Sequence, residues 1–288
     1  MLKKRIVATV VVKEGIVVQS FHFNRYLPIG KPEIAIEFLN LWGIDEIILI
    51  DISATVNERE PDYSMVKLAS KKCHVPLTVG GGILTFDQIQ KLMHSGVDKI
   101  SLNQSALYSF DLLTQAALNY GNQCIVLSID AINTPNGYRV YDYKKKAATH
   151  LLPAEFAKRG QDAGAGEILI NSVDRDGSYT GFDLELINSI CGSVTIPVIC
   201  AGGAKNAMDF IKVFSETKVS AASAANFFHF TEHSVNQCKS IIKKEFDIRL
   251  ETNANYAESS FDEFLRLNKK EDSILEEMLF FKIEKEII

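Results

Sequence analysis

Two clusters of glycine follow short apolar runs and have the chemistry of anion-binding loops. Gly80-Gly81-Gly82 stands in the first half of the chain, and Gly202-Gly203 stands in the second half. Glycine allows backbone N–H groups to approach a phosphate closely, and the N-terminus of a following helix adds a favourable dipole. We therefore predict anion-binding residues at Gly82, Gly202 and Gly203. The alternative is that these glycines only turn the chain.

Further positions are suited to completing two opposed anion sites. Asn103 follows the apolar run Lys99–Leu102, and Asp176-Gly177 ends an Asp-Arg-Asp-Gly segment. We place Asn103 in one site and Asp176 with Gly177 in the other. The phosphate sites of parallel α/β barrels are commonly built from loops of this kind.

Two aspartates stand at the ends of apolar runs, where a carboxylate is able to transfer protons. Asp51 ends the run Glu46–Asp51, and Asp130 follows the run Ile125–Ile129. A carboxylate acts as a general acid or base when its pKa suits the step, and we assign that role to Asp130. Asp51 is predicted to contact the substrate, with capping of a helix N-terminus as the alternative.

Four charged residues occupy the opposite ends of such runs. Arg5, Glu46, Lys99 and Glu167 each stand first in an apolar run. Two cations and two anions at one end of a barrel would neutralise one another in a closed ring, and buried charges persist only when they are paired. From the residues alone, this pattern indicates a structural ion cluster.

The elements that position these residues are eight short apolar runs separated by segments with helical periodicity. The runs are Arg5–Val12, Glu46–Asp51, Val75–Gly80, Lys99–Leu102, Cys124–Asp130, Glu167–Asn171, Pro197–Ala201 and Ala221–Ala224. The helical segments between them include Glu33–Trp42, Phe86–His94, Ala154–Asp162 and Leu184–Ile190. Eight such units in one chain of 288 residues predict a (β/α)8 TIM barrel with a parallel sheet. A doubly wound open sheet is the alternative.

An internal repeat supports the barrel. Asp51 and Asn171 end similar strands 120 positions apart, and Gly82 and Gly203 lie 121 apart in similar glycine loops. Four units followed by four related units describe two half-barrels.

Two segments lie outside the repeat. Gly137–Tyr143 alternates like a small hairpin inserted after the fifth strand. Beyond residue 250, the chain has helical patterns near Phe261–Leu267 and Ile274–Ile283. We therefore divide the chain into a barrel, residues 1–250, and a C-terminal helical extension, residues 251–288, which either packs on the barrel or binds a partner.

Composition narrows the function classes. Hydrophobic residues make up 47% of the chain and the net charge is −5, so we expect a sizeable core and no nucleic-acid surface. No apolar run is long enough to cross a membrane, and we read the basic start as the approach to a first strand rather than a signal peptide. Five scattered cysteines predict reduced thiols in a cytoplasmic protein. His229 and His233 lack a third ligand, so neither a metal nor another cofactor is expected.

Several motifs together resemble the cyclase subunits, HisF, of imidazole glycerol phosphate synthase. The similarity runs from Lys4 to about Leu250 and is carried by Lys4-Arg5-Ile6, Gly43-Ile44-Asp45-Glu46, Gly80-Gly81-Gly82-Ile83, Gly164-Ala165-Gly166-Glu167-Ile168-Leu169 and Asp174-Arg175-Asp176-Gly177. The resemblance implies a (β/α)8 barrel that receives ammonia from a glutaminase, HisH, at its bottom. It also implies that the ammonia reacts with a phosphorylated substrate at the top.

The resemblance assigns roles at both ends of the barrel. It identifies Arg5, Glu46, Lys99 and Glu167 as an ammonia gate, and Asp98 as a contact of the glutaminase. It supports the phosphate-binding glycines and Asn103, and it adds Ala225 and Asn226 to the phosphate site. Two positions depart from the family, since Asn226 stands where a serine is usual and Gln104 where a threonine is usual.

The predicted mouth departs from the family pattern more strongly. The family has catalytic carboxylates on strands one and five, whereas this chain keeps Asp130 but carries Val11 on strand one. Valine cannot transfer a proton. Gln19 replaces a lysine, Asn171 a threonine and Ala201 a serine. We predict Asp130 and Asn171 as the catalytic residues that remain.

A preserved gate below an altered mouth suggests ammonia delivery to a different acceptor. Arg59-Glu60-Pro61-Asp62-Tyr63 and Ile170-Asn171-Ser172-Val173-Asp174 resemble a divergent branch tied to acetamidino modification of surface sugars, as in lipopolysaccharide. That branch implies a HisH-like glutaminase and a sugar amidotransferase as partners. The alternatives are an authentic cyclase of histidine biosynthesis and a non-catalytic scaffold that binds a glutaminase. Since the chain has no glutaminase-type cysteine motif, we expect the glutaminase to be another polypeptide.

Overall fold

The strands of the chain form one large sheet that closes on itself. The computed structural model describes residues 3–231, 233–250, 256 and 259–277. The strands in these residues are β1 (Arg5–Lys13), β2 (Ile16–Phe21), β3 (Arg25–Gly30), β4 (Glu46–Asp51), β5 (Leu77–Gly80), β6 (Lys99–Leu102), β7 (Ile125–Thr134), β8 (Gly137–Asp142), β9 (Ala147–Ala148), β10 (Glu167–Ser172), β11 (Val198–Ala201) and β12 (Ala221–Ala224). Eight of them pair in parallel in the closed order β1-β4-β5-β6-β7-β10-β11-β12, because β12 pairs again with β1.

Helices connect the barrel strands and surround them. They are α1 (Pro32–Leu41), α2 (Ile52–Val56), α3 (Tyr63–Ser70), α4 (Phe86–His94), α5 (Gln104–Tyr108), α6 (Asp111–Tyr120), α7 (Pro153–Asp162), α8 (Leu184–Ser193), α9 (Ala207–Glu216), α10 (Ser234–Ile242) and α11 (Asp272–Glu277). Local sequence explains where several of them begin. Proline opens α1 and α7, and capping boxes built on Thr85 and Asn206 open α4 and α9.

Alternation along each strand divides the core into two parts. Residues on one face of the strands pack against the surrounding helices in the larger cluster, which includes Ile6, Ile47 and Leu127. Residues on the other face meet inside the barrel, where Val7, Ile48, Val126, Leu169, Ile199 and Ala221 form a separate apolar cluster. The period of two in a β-strand therefore determines which side chains line the interior.

The predicted (β/α)8 barrel is confirmed. Arg5, Glu46, Lys99 and Glu167 begin β1, β4, β6 and β10, as expected. The hairpin predicted after the fifth strand is also present, since β7 runs on to Thr134 and pairs in antiparallel fashion with β8. A second hairpin, β2–β3, follows β1 directly and was not predicted.

The C-terminal extension differs in part from the sequence prediction. The helix predicted near Phe261–Leu267 is wrong, because Phe261 and Leu267 form an antiparallel bridge across a turn. A turn is favoured there because Asp262 accepts backbone N–H groups of Phe264 and Arg266, which is side-chain competition with a helix. The second predicted helix begins as α11, and its part beyond residue 277 lies outside the described residues.

Candidate active site

A cavity opens at the carboxyl ends of the barrel strands, the face on which barrel enzymes carry their catalytic residues. The residues predicted to bind phosphate or substrate all line it: Asp51, Gly82, Asn103, Asp176, Gly177, Gly202, Gly203, Ala225 and Asn226. Asp130 and Asn171 line it as well. The closed barrel thus brings together residues that are up to 175 positions apart, counting from Asp51 to Asn226.

Asp130 is one of three aspartates that line the cavity, together with Asp51 and Asp176. It stands beside Asn171 in the register of β7 and β10, and its Oδ2 accepts a hydrogen bond of 3.0 Å from Asn103 Nδ2. Burial raises the pKa of Asp130 to about 7, although hydrogen bonds from Asn103 and Asn171 oppose the rise. A carboxyl group that titrates near neutrality can accept a proton in one step and donate it in another.

Val11, a residue of β1, lines the same cavity. It is paired with Ile50 of β4, and both side chains line the cavity. Four hydroxyl groups from Thr9, Ser101, Ser128 and Ser223 also reach the cavity. Thr9 Oγ1 and Ser223 Oγ are 2.7 Å apart, whereas Ser101 Oγ is buried without a hydrogen-bond partner. The cavity therefore contains hydroxyl groups as well as carboxylates, whereas Val11, which lines it from β1, is apolar.

The two glycine clusters adopt backbone conformations that side chains disfavour. Gly82 has φ +71°, and a Cβ atom there would lie 2.7 Å from the carbonyl oxygen of Arg59. Gly203 has φ +100°, and its Cβ would lie 2.1 Å from the carbonyl oxygen of Gly181. Both loops require glycine, and both line the cavity on opposite halves of the barrel. The glycines can therefore turn the chain and also allow the backbone to approach a ligand closely.

Asp51 is engaged with its own loop. Its Oδ1 accepts the backbone N–H groups of Ser53 and Ala54 and thereby caps α2, and its Oδ2 pairs with Arg59 at 2.5 Å. The capping alternative for Asp51 matches this geometry. The prediction that Asp51 contacts the substrate stays a prediction, with the Arg59 guanidinium beside it as an additional cation.

Asp176 and Asn226 both hold the hairpin β2–β3. Asp176 Oδ2 accepts hydrogen bonds from Ser20 Oγ at 2.6 Å and from the Phe23 backbone at 3.1 Å. Asn226 Oδ1 accepts the Ser20 N–H at 3.0 Å, and its Nδ2 donates to the Ser20 carbonyl at 2.7 Å. Burial raises the pKa of Asp176. Phosphate binding by these side chains stays a prediction, and the structure places them against protein partners.

The four charges at the other end of the barrel form a closed ring. Lys99 Nζ lies 2.9 Å from both Glu46 Oε1 and Glu167 Oε2. Arg5 pairs with the same two carboxylates from the opposite side. Burial lowers the pKa of Lys99, but the two carboxylates outweigh burial and the pKa is raised overall. The order around the ring alternates in sign, so each charge is neutralised by two neighbours.

An apolar layer separates this ring from the cavity. Val7, Ile48 and Leu169 follow Arg5, Glu46 and Glu167 at two-residue intervals on the inner face of their strands, and they belong to the inner apolar cluster. An ion would lose its hydration in this layer without a compensating charge, whereas a small neutral molecule would not. Along the barrel, the charged ring is thus followed by an apolar layer and then by the cavity.

Asp98 lies beside the ring and is exposed. Its Oδ2 accepts the backbone N–H of Leu77 at 2.8 Å, which fixes the carboxylate at the entry of β5. The predicted role of Asp98 as a glutaminase contact stays a prediction.

Other classes of site find little support in the described part of the chain. No group of three or more metal-ligating side chains occurs there, and no helix there is long and apolar enough to cross a membrane. His229 follows a short 3₁₀ turn and His233 precedes α10, so the two do not share a helix face. Burial lowers the pKa of His229 to about 4.

Aromatic side chains form a wall along one edge of the cavity, and this wall was not predicted from the sequence. Phe23 and Tyr26 come from the β2–β3 hairpin, and Tyr143 follows β8. The rings of Phe23 and Tyr143 meet edge to face at 5.9 Å, and the hydroxyl groups of Tyr26 and Tyr143 are 3.3 Å apart. Two apolar stretches around Gly15, at Ile6–Val12 and Ile16–Val18, were the signal of this hairpin.

Comparison with known proteins places this architecture in a family. Residues 5–234 match the model of a family described as histidine biosynthesis protein. A putative imidazole glycerol phosphate synthase subunit hisF2 of Vibrio vulnificus strain YJ016 is 41% identical over 91% of this chain and 97% of its own length. The imidazole glycerol phosphate synthase subunits HisF of Lactococcus lactis subsp. cremoris strain SK11 and of Lactiplantibacillus plantarum are each 38% identical, over 87% and 85% of this chain and 98% of their own lengths. The chain therefore belongs to the histidine biosynthesis protein family, among its HisF members.

Proposed function

We propose that this protein is a synthase subunit that receives ammonia from a HisH-like glutaminase at its charged end and delivers it to an anionic acceptor in its cavity. The observation that carries the proposal is the axial order of the barrel. A sign-alternating ring, an apolar layer and a cavity that contains the Asp130 carboxyl group follow one another along the barrel. This order is suited to passing a small neutral base and to using it at the far end.

The ring is difficult to explain by stability alone. Apolar residues of similar volume commonly replace buried ion clusters without loss of stability. Glu46 and Glu167 are nevertheless almost completely buried, with 1% and 6% of their side chains exposed. A ring of paired charges can exchange partners and admit a polar molecule, and the apolar layer above it favours ammonia over ammonium.

The acceptor is proposed to be phosphorylated or similarly anionic. Gly82 and Gly203 line the cavity from opposite halves of the barrel, and Gly177 and Ala225 line it as well. Backbone N–H groups in such loops bind anions without a side-chain cation.

We further propose that the acceptor differs from the substrate of imidazole glycerol phosphate synthase and belongs to acetamidino-sugar biosynthesis. Val11 supports this proposal because it leaves Asp130 as the one carboxylate of the pair expected from the family resemblance. A reaction that needs two carboxylates would lose roughly 10²- to 10⁴-fold in rate when one is absent. Delivery of ammonia to an acceptor completed by a separate sugar amidotransferase needs less acid–base chemistry in the barrel.

A second candidate is the cyclase of histidine biosynthesis. The specific observation in its favour is that the relatives compared above, which cover 85–91% of this chain, carry the name of imidazole glycerol phosphate synthase subunits. With a pKa of about 7, Asp130 would have to act as both the acid and the base in that reaction. Asn171 would then orient the substrate rather than transfer protons.

The decisive experiment supplies the protein with each acceptor in turn. Purified protein is incubated with ammonium salt and either the substrate of imidazole glycerol phosphate synthase or an activated surface sugar with its amidotransferase. We expect little imidazole glycerol phosphate, and a Val11→Asp variant should form more of it without reaching the rate of a HisF relative, because Gln19, Asn171 and Ala201 also differ. Rapid turnover of the histidine substrate by the unmodified protein would establish the second candidate instead.

Delivery through the barrel is tested separately by the source of ammonia. With a HisH-like glutaminase and glutamine labelled at the amide nitrogen, Lys99→Met should lower glutamine-dependent transfer much more than ammonium-dependent transfer. Asp98→Lys should weaken the complex with the glutaminase without changing ammonium-dependent transfer. Equal losses in both assays for Lys99→Met would contradict a conduit, and failure to bind any HisH-like protein would contradict the partnership.

A further inference from the structure

Asn226 makes contacts that a ligand-binding residue does not need. Its side-chain amide forms two hydrogen bonds with the backbone of Ser20, one with the N–H and one with the carbonyl group. Both Asn226 and Ser20 are buried, with 8% and 3% of their surface exposed. The amide is therefore engaged on both its oxygen and its nitrogen with protein groups.

A second set of contacts holds the same segment. The Asp176 side chain accepts hydrogen bonds from Ser20 Oγ and the Phe23 N–H, and its backbone carbonyl accepts the His22 N–H at 3.0 Å. The next residue, Gly177, packs so closely that an added Cβ would lie 2.4 Å from the Ser20 carbonyl oxygen. Residues 20–23 are thus fastened to the loops that follow β10 and β12.

The segment held in this way forms part of the cavity wall. Ser20, Phe23 and Tyr26 line the cavity, and Phe23 meets Tyr141 and Tyr143 edge to face. His22 and Phe23 adopt positive φ values of 52° and 54°, which side chains disfavour. A strained turn of this kind persists only when surrounding contacts hold it in place, and Asp176 and Asn226 provide those contacts.

We propose that Asn226, together with Asp176, is a latch that positions residues 20–26 as a wall of the substrate cavity. In this role Asn226 is a positioning residue and makes no contact with the substrate through its side chain. An anion bound at Gly203 and Ala225 would then be held by backbone N–H groups, and the substrate would be enclosed on one side by Ser20, Phe23 and Tyr26.

The direct test is amide hydrogen exchange of the full chain. Asn226→Ala removes both hydrogen bonds to Ser20, so exchange at Ser20, His22 and Phe23 should accelerate by roughly 10- to 100-fold. Trypsin cleavage after Arg25 should accelerate with it. Asn226→Asp has nearly the same side-chain volume but cannot donate a hydrogen bond to the Ser20 carbonyl, so it should also accelerate exchange. Because its volume is conserved, this variant separates the loss of the hydrogen bond from the loss of packing in Asn226→Ala.

The matched control is Asn206→Ala. Asn206 caps α9 through the Met208 N–H, so its loss weakens the protein at a different place. Exchange at residues 20–23 should stay as in the unmodified protein. Unchanged exchange at Ser20 in both Asn226 variants would overturn the latch, and equal acceleration in Asn206→Ala would show only a general loss of stability.

A second readout rests on the proposed function. In ammonium-dependent transfer, Asn226→Ala should raise KM for the acceptor several-fold with a smaller effect on kcat, because Asp130 is untouched. A lower kcat at unchanged KM would contradict a wall that binds the substrate. If no acceptor is turned over, the proposed function fails, whereas the exchange experiment still decides the latch.

Discussion

Replacing Lys99 by methionine is the change that most directly tests the charged ring. Lys99 Nζ contacts Glu46 Oε1 and Glu167 Oε2, both at 2.9 Å. At an effective dielectric constant of about 20, each contact provides roughly 6 kcal/mol of attraction before the cost of desolvation. Methionine retains most of the volume of lysine but leaves the two buried carboxylates of the ring with Arg5 as their one cationic partner.

We expect Lys99→Met to lower the free energy of unfolding by about 3–5 kcal/mol at pH 7, the usual cost of removing one partner from a buried pair. The deficit should shrink at high pH. The pKa of Lys99 is raised above 10.5, so its contribution is present below that pH and is lost as the pH rises through the raised value.

The assay is equilibrium unfolding in urea across this pH range. Lys91→Met is the control, because Lys91 makes a single ion pair with Asp87 and both side chains are largely exposed; it should cause no measurable change. A Lys99→Met protein as stable as the unmodified one at pH 7 would refute a net contribution from the ring. If the loss of unfolding free energy in Lys99→Met does not vary with pH, the loss comes from packing and not from charge.

Further predictions concern the cavity and the extension. Asp130→Asn should lower transfer by roughly 10²- to 10⁴-fold, measured as kcat with ammonium salt. The raised pKa of Asp130, about 7, means that its stability contribution is complete below its unfolded value of 3.8 and is lost as the pH rises through about 7. Asp130→Asn should therefore be more stable than the unmodified protein at pH 8, by up to about 4 kcal/mol, and no more stable at pH 3; a urea titration that finds the same difference at both pH values would contradict the buried-carboxyl explanation. Gly177→Ala should lower the melting temperature because of its φ of +64° and the contact with Ser20, whereas Gly192→Ala, within α8 with no atom near an added Cβ, should raise stability by roughly 0.5–1 kcal/mol. A chain ending at residue 250 should keep the barrel circular dichroism signal with a modestly lower melting temperature, since the extension contacts the barrel where Tyr256 meets His233; loss of the folded signal would refute the division at residue 250.

Local patterns were sufficient to predict the barrel and its charged end. An inward-facing set along a β-strand follows a period of two, so the first residue of each apolar run determines which side chains share a layer. Arg5, Glu46, Lys99 and Glu167 could thus be placed together from sequence, and they are. The glycine loops could also be predicted from sequence, because glycine is the residue type that readily adopts the positive φ found at Gly82 and Gly203.

The partners of the cavity side chains could be decided only by the tertiary structure. Asn226 and Ser20 are 206 positions apart, and no local pattern indicates that one would hold the other. Asp176 has the residue type of a substrate contact, but its Oδ2 accepts hydrogen bonds from Ser20 and Phe23. The raised pKa of Asp130 likewise depends on burial by several strands. A sequence states which groups are able to ionise or donate hydrogen bonds, whereas their free energies depend on neighbours that only the closed barrel brings within reach.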